Sequence, residues 1–415
     1  MKFSLLSILA LLLPLTAAQT QNATASVTDP TDRAELALTA LQTFYNESTG
    51  LWLGWWQSAN AMTVVANLAK VDSNPKIQSL AAQVFANTVA KAPAHNIDPN
   101  AEPPLKKKRK RAMSGYDKGY DENGIPFTTL PKGWGEIPSA HIRGRANAPA
   151  FDPYSWLDGF YDDDLWWALG YIAAYDVTKK AEYLTLSEGI FNAVARVWPS
   201  SCGNGGIFWN SKKNVVNAIA NELFFSTAAH LANRASDANT YANWAVKSID
   251  WFVATGMINN ASLINDGLTS APDCKNNGLP TWSYNQGVIL GGLAELYKAR
   301  PNSTYMNLAN RLAKASIEGI ANKAGVIQDP CGPLCGADAS QFKGIYMRGL
   351  QAVYAMNPDP SYAASIKTNA DSVWANDRNA KNQLSIQWAG PFIGTANSTT
   401  QSSAMEALIA AIVVK

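Results

Sequence analysis

Three consecutive aspartates, Asp162, Asp163 and Asp164, stand between Tyr161 and the pair Trp166–Trp167 in DGFYDDDLWWALGY, residues 158–171. Leu165, Ala168, Leu169 and Ile172 follow at spacings of three and four, so a helix begins at the run. One or two acids there need no chemistry, because the free N–H groups and the positive end of the macrodipole favour them. Three in a row repel one another, and one or two suffice for capping. Carboxylates beside large apolar rings tend to have raised pKa values, and unlike surroundings can divide a pair into acid and base. Two carboxylates flanking a glycosidic bond are the minimum equipment for sugar hydrolysis. Retaining enzymes hold them roughly 5–5.5 Å apart, and inverting enzymes further, to admit a water. Neighbours at a helix start reach one cleft at short separation, which favours a covalent intermediate.

Two other readings compete. A DDxxD pattern could hold magnesium, as in all-helical prenyl-diphosphate enzymes, but Trp166 follows Asp162-Asp163-Asp164-Leu165 and the spacing fails. A glycan-binding cleft without reaction would use the same aromatics. Against it, desolvated carboxylates are expensive to keep. No metal or cofactor is expected.

The elements that must position the acids are helices, and they repeat. Helical patterns cover 30–46, 60–71, 76–91, 164–176, 180–197, 217–234, 238–256, 285–299, 304–320, 341–356, 361–375 and 402–413. Each unit joins an apolar, small-residue-rich helix to a polar turn and a tyrosine that opens a second helix. Such units cannot bury their apolar faces alone and must stack. The expected fold is all-α: an α/α toroid of six helical hairpins, with the more apolar helices as an inner ring. An open solenoid is the alternative, and the absence of an extra polar face on the terminal repeats argues for closure. The connections from outer to inner helices then share one edge. Their aromatics and amides supply the candidate sugar contacts Trp56, Asn60, Tyr161, Trp166, Trp209, Asn221, Glu222, Trp282, Tyr284, Asn285 and Gln286.

The 415 residues carry a formal net charge of +2, which gives no reason to expect nucleic acid as partner. Lys2, the apolar run Leu5–Leu13 and Thr16-Ala17-Ala18 read as a secretory signal over 1–18. Residues 19–415 then form a single catalytic domain with no transmembrane segment, secreted and possibly wall-associated, acting as a monomer. Sequons at Asn22, Asn46, Asn260, Asn302 and Asn397 suit that address. Four cysteines in an oxidising compartment allow three connectivities. Cys331 and Cys335 share the Pro/Gly-rich loop DPCGPLCG, so the preferred pairing is Cys331–Cys335 with Cys202–Cys274. His95, His141 and His230 show no zinc-ligand spacing. A basic stretch, PPLKKKRKRAM, marks a flexible insert around 93–150. A processing site is the second reading of that insert, and a retained intron the third.

With these residues in place the chain resembles glycoside hydrolase family 76, the endo-α-1,6-mannanases and their fungal cell-wall relatives. FYDDDLWWALGYIAAYD looks like the family signature, and GWWQSANAM, CGNGGIFWN, NAIANELFFSTAAHLA, WSYNQGVILGGLAELY and QFKGIYMRGL support it. The resemblance implies a six-hairpin toroid and hydrolysis of α-1,6-mannosidic links in mannan or glycoprotein mannan. Aligned on Trp166–Trp167, it implies Asp162 as nucleophile and Asp163 as acid/base, with Asp164 where other members often have glutamate. The 93–160 connection is longer than the family leads one to expect. A transglycosidase that moves mannose-containing lipid-anchor glycans of wall proteins to glucan uses the same covalent intermediate and is the alternative.

Overall fold

The computed structural model describes residues 27–98, 119–120, 126–127 and 151–414. The expected signal segment, Asn22 and the basic run lie outside the described residues. In chain order the helices are α1 (Pro30–Gln42), α2 (Trp55–Val71), α3 (Pro75–Lys91), α4 (Tyr161–Thr178), α5 (Ala181–Ala195), α6 (Ala218–Ala232), α7 (Ala238–Ala254), α8 (Ser283–Ala299), α9 (Ser303–Gly319), α10 (Phe342–Met356), α11 (Pro360–Asn376) and α12 (Ser398–Val413). Gly119–Tyr120 and Pro126–Phe127 pair as a two-residue antiparallel ribbon.

Even-numbered helices are apolar nearly all round, and a helix of that kind must be enclosed. They form the inner ring, each packed on the next, and α12 lies against α2 to close it. Small residues permit the close approach. A methyl on Gly349 would collide with the Gly287 carbonyl, and one on Gly344 with Ser403. Odd-numbered helices bury one face only. Three of them start at Asp29-Pro30, Asn74-Pro75 and Asp359-Pro360, where the Asx side chain caps the helix and proline takes the first position. The sixth pair is made across the chain ends, since α1 packs on α12 and Gln401 Nε2 donates to the Ala37 carbonyl at 3.0 Å.

Four inner helices begin earlier than their patterns suggest, α4 among them, at Tyr161 rather than 164. α2 starts at Trp55 rather than 60, α8 at Ser283 rather than 285, and α12 at Ser398 rather than 402. Their first turns carry Trp, Gln, Ser, Asn and Thr because these turns face the mouth of the ring and hold loops. The long insert does not break the ring. Asn96 Nδ2 donates to the carbonyls of Ser155 and Leu157, both at 2.9 Å, so the chain leaves and returns at one point. Trp156 then plugs the core against Trp55, Trp167 and Tyr171, with ring centroids 5.7, 4.6 and 4.9 Å away.

Candidate active site

The aspartates fall inside the first turn of α4, with Phe160 at the N-cap and no side-chain cap. The strand-like stretch before them is fixed by pairing. Tyr161 N donates to Trp209 O and Ser211 N to Gly159 O, both at 2.9 Å. This contact brings Trp209 over the acids, and its Nε1–H donates to Asp162 Oδ2 at 3.0 Å. Asp162 is 8% exposed, and Asp163 only 1%. A charge-assisted bond of that kind fixes the carboxylate's orientation.

Asp164 is held differently. Its Oδ1 accepts from Asp158 N at 3.0 Å, while Asp158 Oδ1 accepts from Phe160 N at 2.9 Å. The same device recurs around the ring. The fourth residue of α2, α4, α6, α8 and α12 accepts from a backbone N–H of the preceding connection: Ser58 from Trp52, Asp164 from Asp158, Asn221 from Ile207, Gln286 from Ile264, Gln401 from Leu384. In α10 the residue before Gly344 stands where Gln286 precedes Gly287. It is Lys343, whose Nζ donates to the Ile386 carbonyl. By register, then, Asp164 is a loop anchor.

An aromatic wall faces them. Trp166 stacks on Trp56 at 5.9 Å, Trp56 lies 6.5 Å from Phe342, Tyr284 stacks on Phe342 at 3.7 Å, and Trp282 meets Phe342 edge-on at 5.8 Å. Trp56 and Gln57 are steadied by Asp338, which accepts from Trp56 Nε1 at 3.0 Å and Gln57 Nε2 at 2.7 Å. Asp329 does the same for the start of α8, accepting from Ser283 N and Oγ, both at 2.7 Å. Phe342, Asp338 and Asp329 join this arrangement, although the sequence does not single them out. The block QFKGIYMRGL holds the signal for Phe342, an aromatic opening an inner helix as Trp56 and Tyr284 do.

Several expected sugar contacts have other work. Asn221 and Gln286 use both ends of their amides on the backbone N–H and C=O of Ile207 and Ile264. Asn60 Oδ1 accepts from Arg348 at 3.1 Å inside the ring, beside the Arg348–Glu406 ion pair. Glu222 and Asn285 have no exposed surface. Burial, then the nearby Asp266, pushes the Glu222 carboxyl well above its usual range. The cysteines pair as Cys202–Cys274 and Cys331–Cys335, with S–S distances of 1.98 and 1.90 Å. Asn260 is exposed. Asn397, in contrast, caps α12 through a capping box.

An acid pair at the mouth of a closed ring of helical hairpins, faced by a wall of aromatic rings, defines an α/α-toroid protein of the glycoside hydrolase kind. The model of glycosyl hydrolase family 76 matches residues 143–415, and the chain belongs to that family. It is 29% identical over 221 residues to the mannan endo-1,6-alpha-mannosidase DCW1 of Candida albicans, covering 48% of each chain. It is 30% identical over 206 residues to the mannan endo-1,6-alpha-mannosidase DFG5 of Saccharomyces cerevisiae, covering 46% of this chain and 44% of that one. The chain thus spans about half the length of the relatives it matches. Two solved structures share the fold. One is an inactive variant of the alpha-1,6-mannanase GH76A of Salegentibacter, with two consecutive aspartates changed to asparagine, in complex with alpha-1,6-mannotriose (TM-score 0.70, 16% identity, 93% of this chain and 100% of that one). The other is Dfg5 from Chaetomium thermophilum in complex with glucosamine (TM-score 0.69, 18% identity, 92% and 90%). Among the described residues no helix is long and apolar enough to cross a membrane, and no group of three or more His, Cys, Asp or Glu could hold a metal ion.

Proposed function

We propose that this chain is a retaining glycoside hydrolase that cleaves α-1,6-mannosidic links within mannan or glycoprotein mannan. Asp162 attacks the anomeric carbon and forms the glycosyl-enzyme. Asp163 first gives its proton to the leaving oxygen and then takes one from the incoming water. Trp209 orients Asp162 through its indole N–H, and the wall of Trp166, Trp56, Phe342 and Tyr284, backed by the fully buried Trp282, offers apolar faces to the sugar rings. The observation that carries this reading is the indole N–H of Trp209 held on Asp162, next to Asp163, while Asp164 anchors the preceding loop. The two cystines, with the secretory signal expected at 1–18, support work outside the cell. The test is to incubate purified protein with linear α-1,6-mannan and weigh the products. Mannooligosaccharides of several lengths are expected, and an unchanged polymer would remove the reading. Longer products joined to an added acceptor sugar would mark transfer in place of hydrolysis.

A further inference from the structure

Three rings of the aromatic wall sit side by side, and each is fixed by a different means. Phe342 is the middle one, 3.7 Å from Tyr284 and 6.5 Å from Trp56 between ring centroids. It is tied through its neighbour Lys343, whose Nζ donates to the Ile386 carbonyl. Tyr284 follows Ser283, whose N and Oγ both donate to Asp329. Trp56 is held by its own indole. Its Nε1 donates to Asp338 Oδ1 at 3.0 Å, and the same oxygen accepts from Gln57 Nε2 at 2.7 Å. The two flanking rings thus depend on two buried carboxylates, and both come from the one connection between α9 and α10.

That connection is cross-linked between its carboxylates. The order along the chain is Asp329, Cys331, Cys335, Asp338, and the two cysteines are bonded to each other. In the chain-entropy account, a bridge stabilises the fold more when it closes a longer loop. Cys202–Cys274 spans a sequence separation of 72 and Cys331–Cys335 one of 4, so the second has the smaller claim to a role in global stability. Its effect is local. Leu334, between the two cysteines, is 90% exposed, so packing against the core does not order the tip. The bridge, with Gly332 N donating to the Asp329 carbonyl at 2.9 Å, folds the tip back and fixes where the chain resumes towards Asp338.

The acids of α4 are held by other groups. Trp209 donates to Asp162, and Asp158 N to Asp164, neither of which belongs to this connection. A shift of Trp56 or Tyr284 would open gaps against a sugar ring and forfeit dispersion contacts, without turning the carboxylates that react.

We infer that Asp329 and Asp338 are positioning residues for the aromatic wall, and that the Cys331–Cys335 bridge sets the spacing at which they hold Tyr284 and Trp56. The connection before α10 thereby governs affinity for the saccharide chain and leaves the chemistry at α4 alone. The inference deepens the reading of the cleft as a mannan site and rests on it.

The test separates position from charge at 338. Asp338→Glu keeps the charge and moves the oxygen, Asp338→Asn loses the charge and keeps an accepting oxygen in place, and Asp338→Ala removes both. With α-1,6-mannotetraose, Asp338→Ala and Asp338→Glu should raise KM about tenfold with kcat within about twofold of wild type, the split expected when binding is lost and chemistry kept. Asp338→Asn should return KM to within about threefold of wild type, as one retained acceptor predicts. If Asp338→Ala does not fold, the contrast between the Glu and Asn variants decides. Cys331→Ser with Cys335→Ser leaves both carboxylates in the chain and should raise KM about threefold, a modest loss of preorganisation. In that double variant the Trp56 indole N–H, labelled with nitrogen-15 and assigned with Trp56→Phe, should shift by NMR, while the Trp209 N–H stays in place. An unchanged KM in Asp338→Glu, an Asn variant as weak as the Glu variant, or a fall in kcat in place of a rise in KM overturns the inference. So does a double variant in which the Trp56 signal is unmoved or the Trp209 signal moves with it. If the wild-type protein neither cleaves nor binds the tetraose, the reading of the cleft falls, and the Trp56 signal in the double variant alone decides the positioning role.

Discussion

At the scale of single residues, Asp162 and Asp164 sit in the same helical turn and answer to different partners. Asparagine at 164 keeps the oxygen that accepts from Asp158 N, so Asp164→Asn should retain substantial activity. Losing a nucleophile or general acid lowers the rate by orders of magnitude but leaves ground-state contacts in place. Asp162→Asn and Asp163→Asn should therefore each abolish mannan turnover and still bind mannooligosaccharide. With a leaving group that needs no proton, azide should rescue Asp163→Asn and not Asp162→Asn. Survival of Asp162→Asn beside a dead Asp164→Asn would move the register by one. Glu222 gives a signed prediction in pH. Its folded pKa is raised above the ordinary 4.5, so its contribution to stability is intact below about 4.5 and lost as pH rises through the folded value. Glu222→Gln keeps the shape without the charge. Chemical denaturation should find it more stable than wild type at pH 7 and equal to it near pH 4. Equal stability at both would show that Glu222 is not desolvated as described.

At the scale of elements, the inner-helix first turns are where sequence and structure diverge most. The repeat itself is legible, because a helix apolar on all sides with small residues at close approaches has few other uses than an inner ring. The polar first turns of α2, α8 and α12 resemble loop, and their amides resemble sugar contacts. Which partner an amide takes depends on a connection ending just before the helix, and periodicity carries no record of it. Asn221 and Gln286 are the clearest cases, since each holds a backbone N–H and C=O that would otherwise lie unpaired. If these anchors matter as argued, Gln401→Leu should lower stability by roughly 3 kcal/mol, because Leu384 N and Ala37 O are left unmet. Urea unfolding measures this, and a change within 0.5 kcal/mol, roughly the scatter of ordinary surface substitutions, would deny the anchoring role.

At the scale of the whole molecule, the ring's far edge is tied by charge. Arg234, after α6, bonds Asp176 of α4 through Nε at 2.8 Å and Glu295 of α8 through Nη1 at 2.8 Å. Burial alone would raise both acids; for Asp176 the Arg234 guanidinium, and for Glu295 His230 and Arg234 together, outweigh it and leave each at about 2. Folded values below the ordinary ones give stability that is present above about pH 4.5 and lost as pH falls towards 2. Arg234→Met should cost roughly 2–3 kcal/mol at pH 7, by taking from two partly buried carboxylates the cation they share, with only Lys70 left beside Asp176. The penalty should shrink as pH falls from 4.5 to 2, and a penalty independent of pH would assign it to lost packing instead. The far edge keeps the toroid closed, and the near edge places the acids; the central claim concerns what those acids do. It is tested most directly by the anomeric configuration of the first products from α-1,6-mannotetraose, read by proton NMR before mutarotation. A double displacement through Asp162 predicts α-configured reducing ends at the earliest times, with the β anomer growing in later. β-Mannose ends appearing first would mean a single displacement by water, and would contradict the covalent intermediate assigned to Asp162.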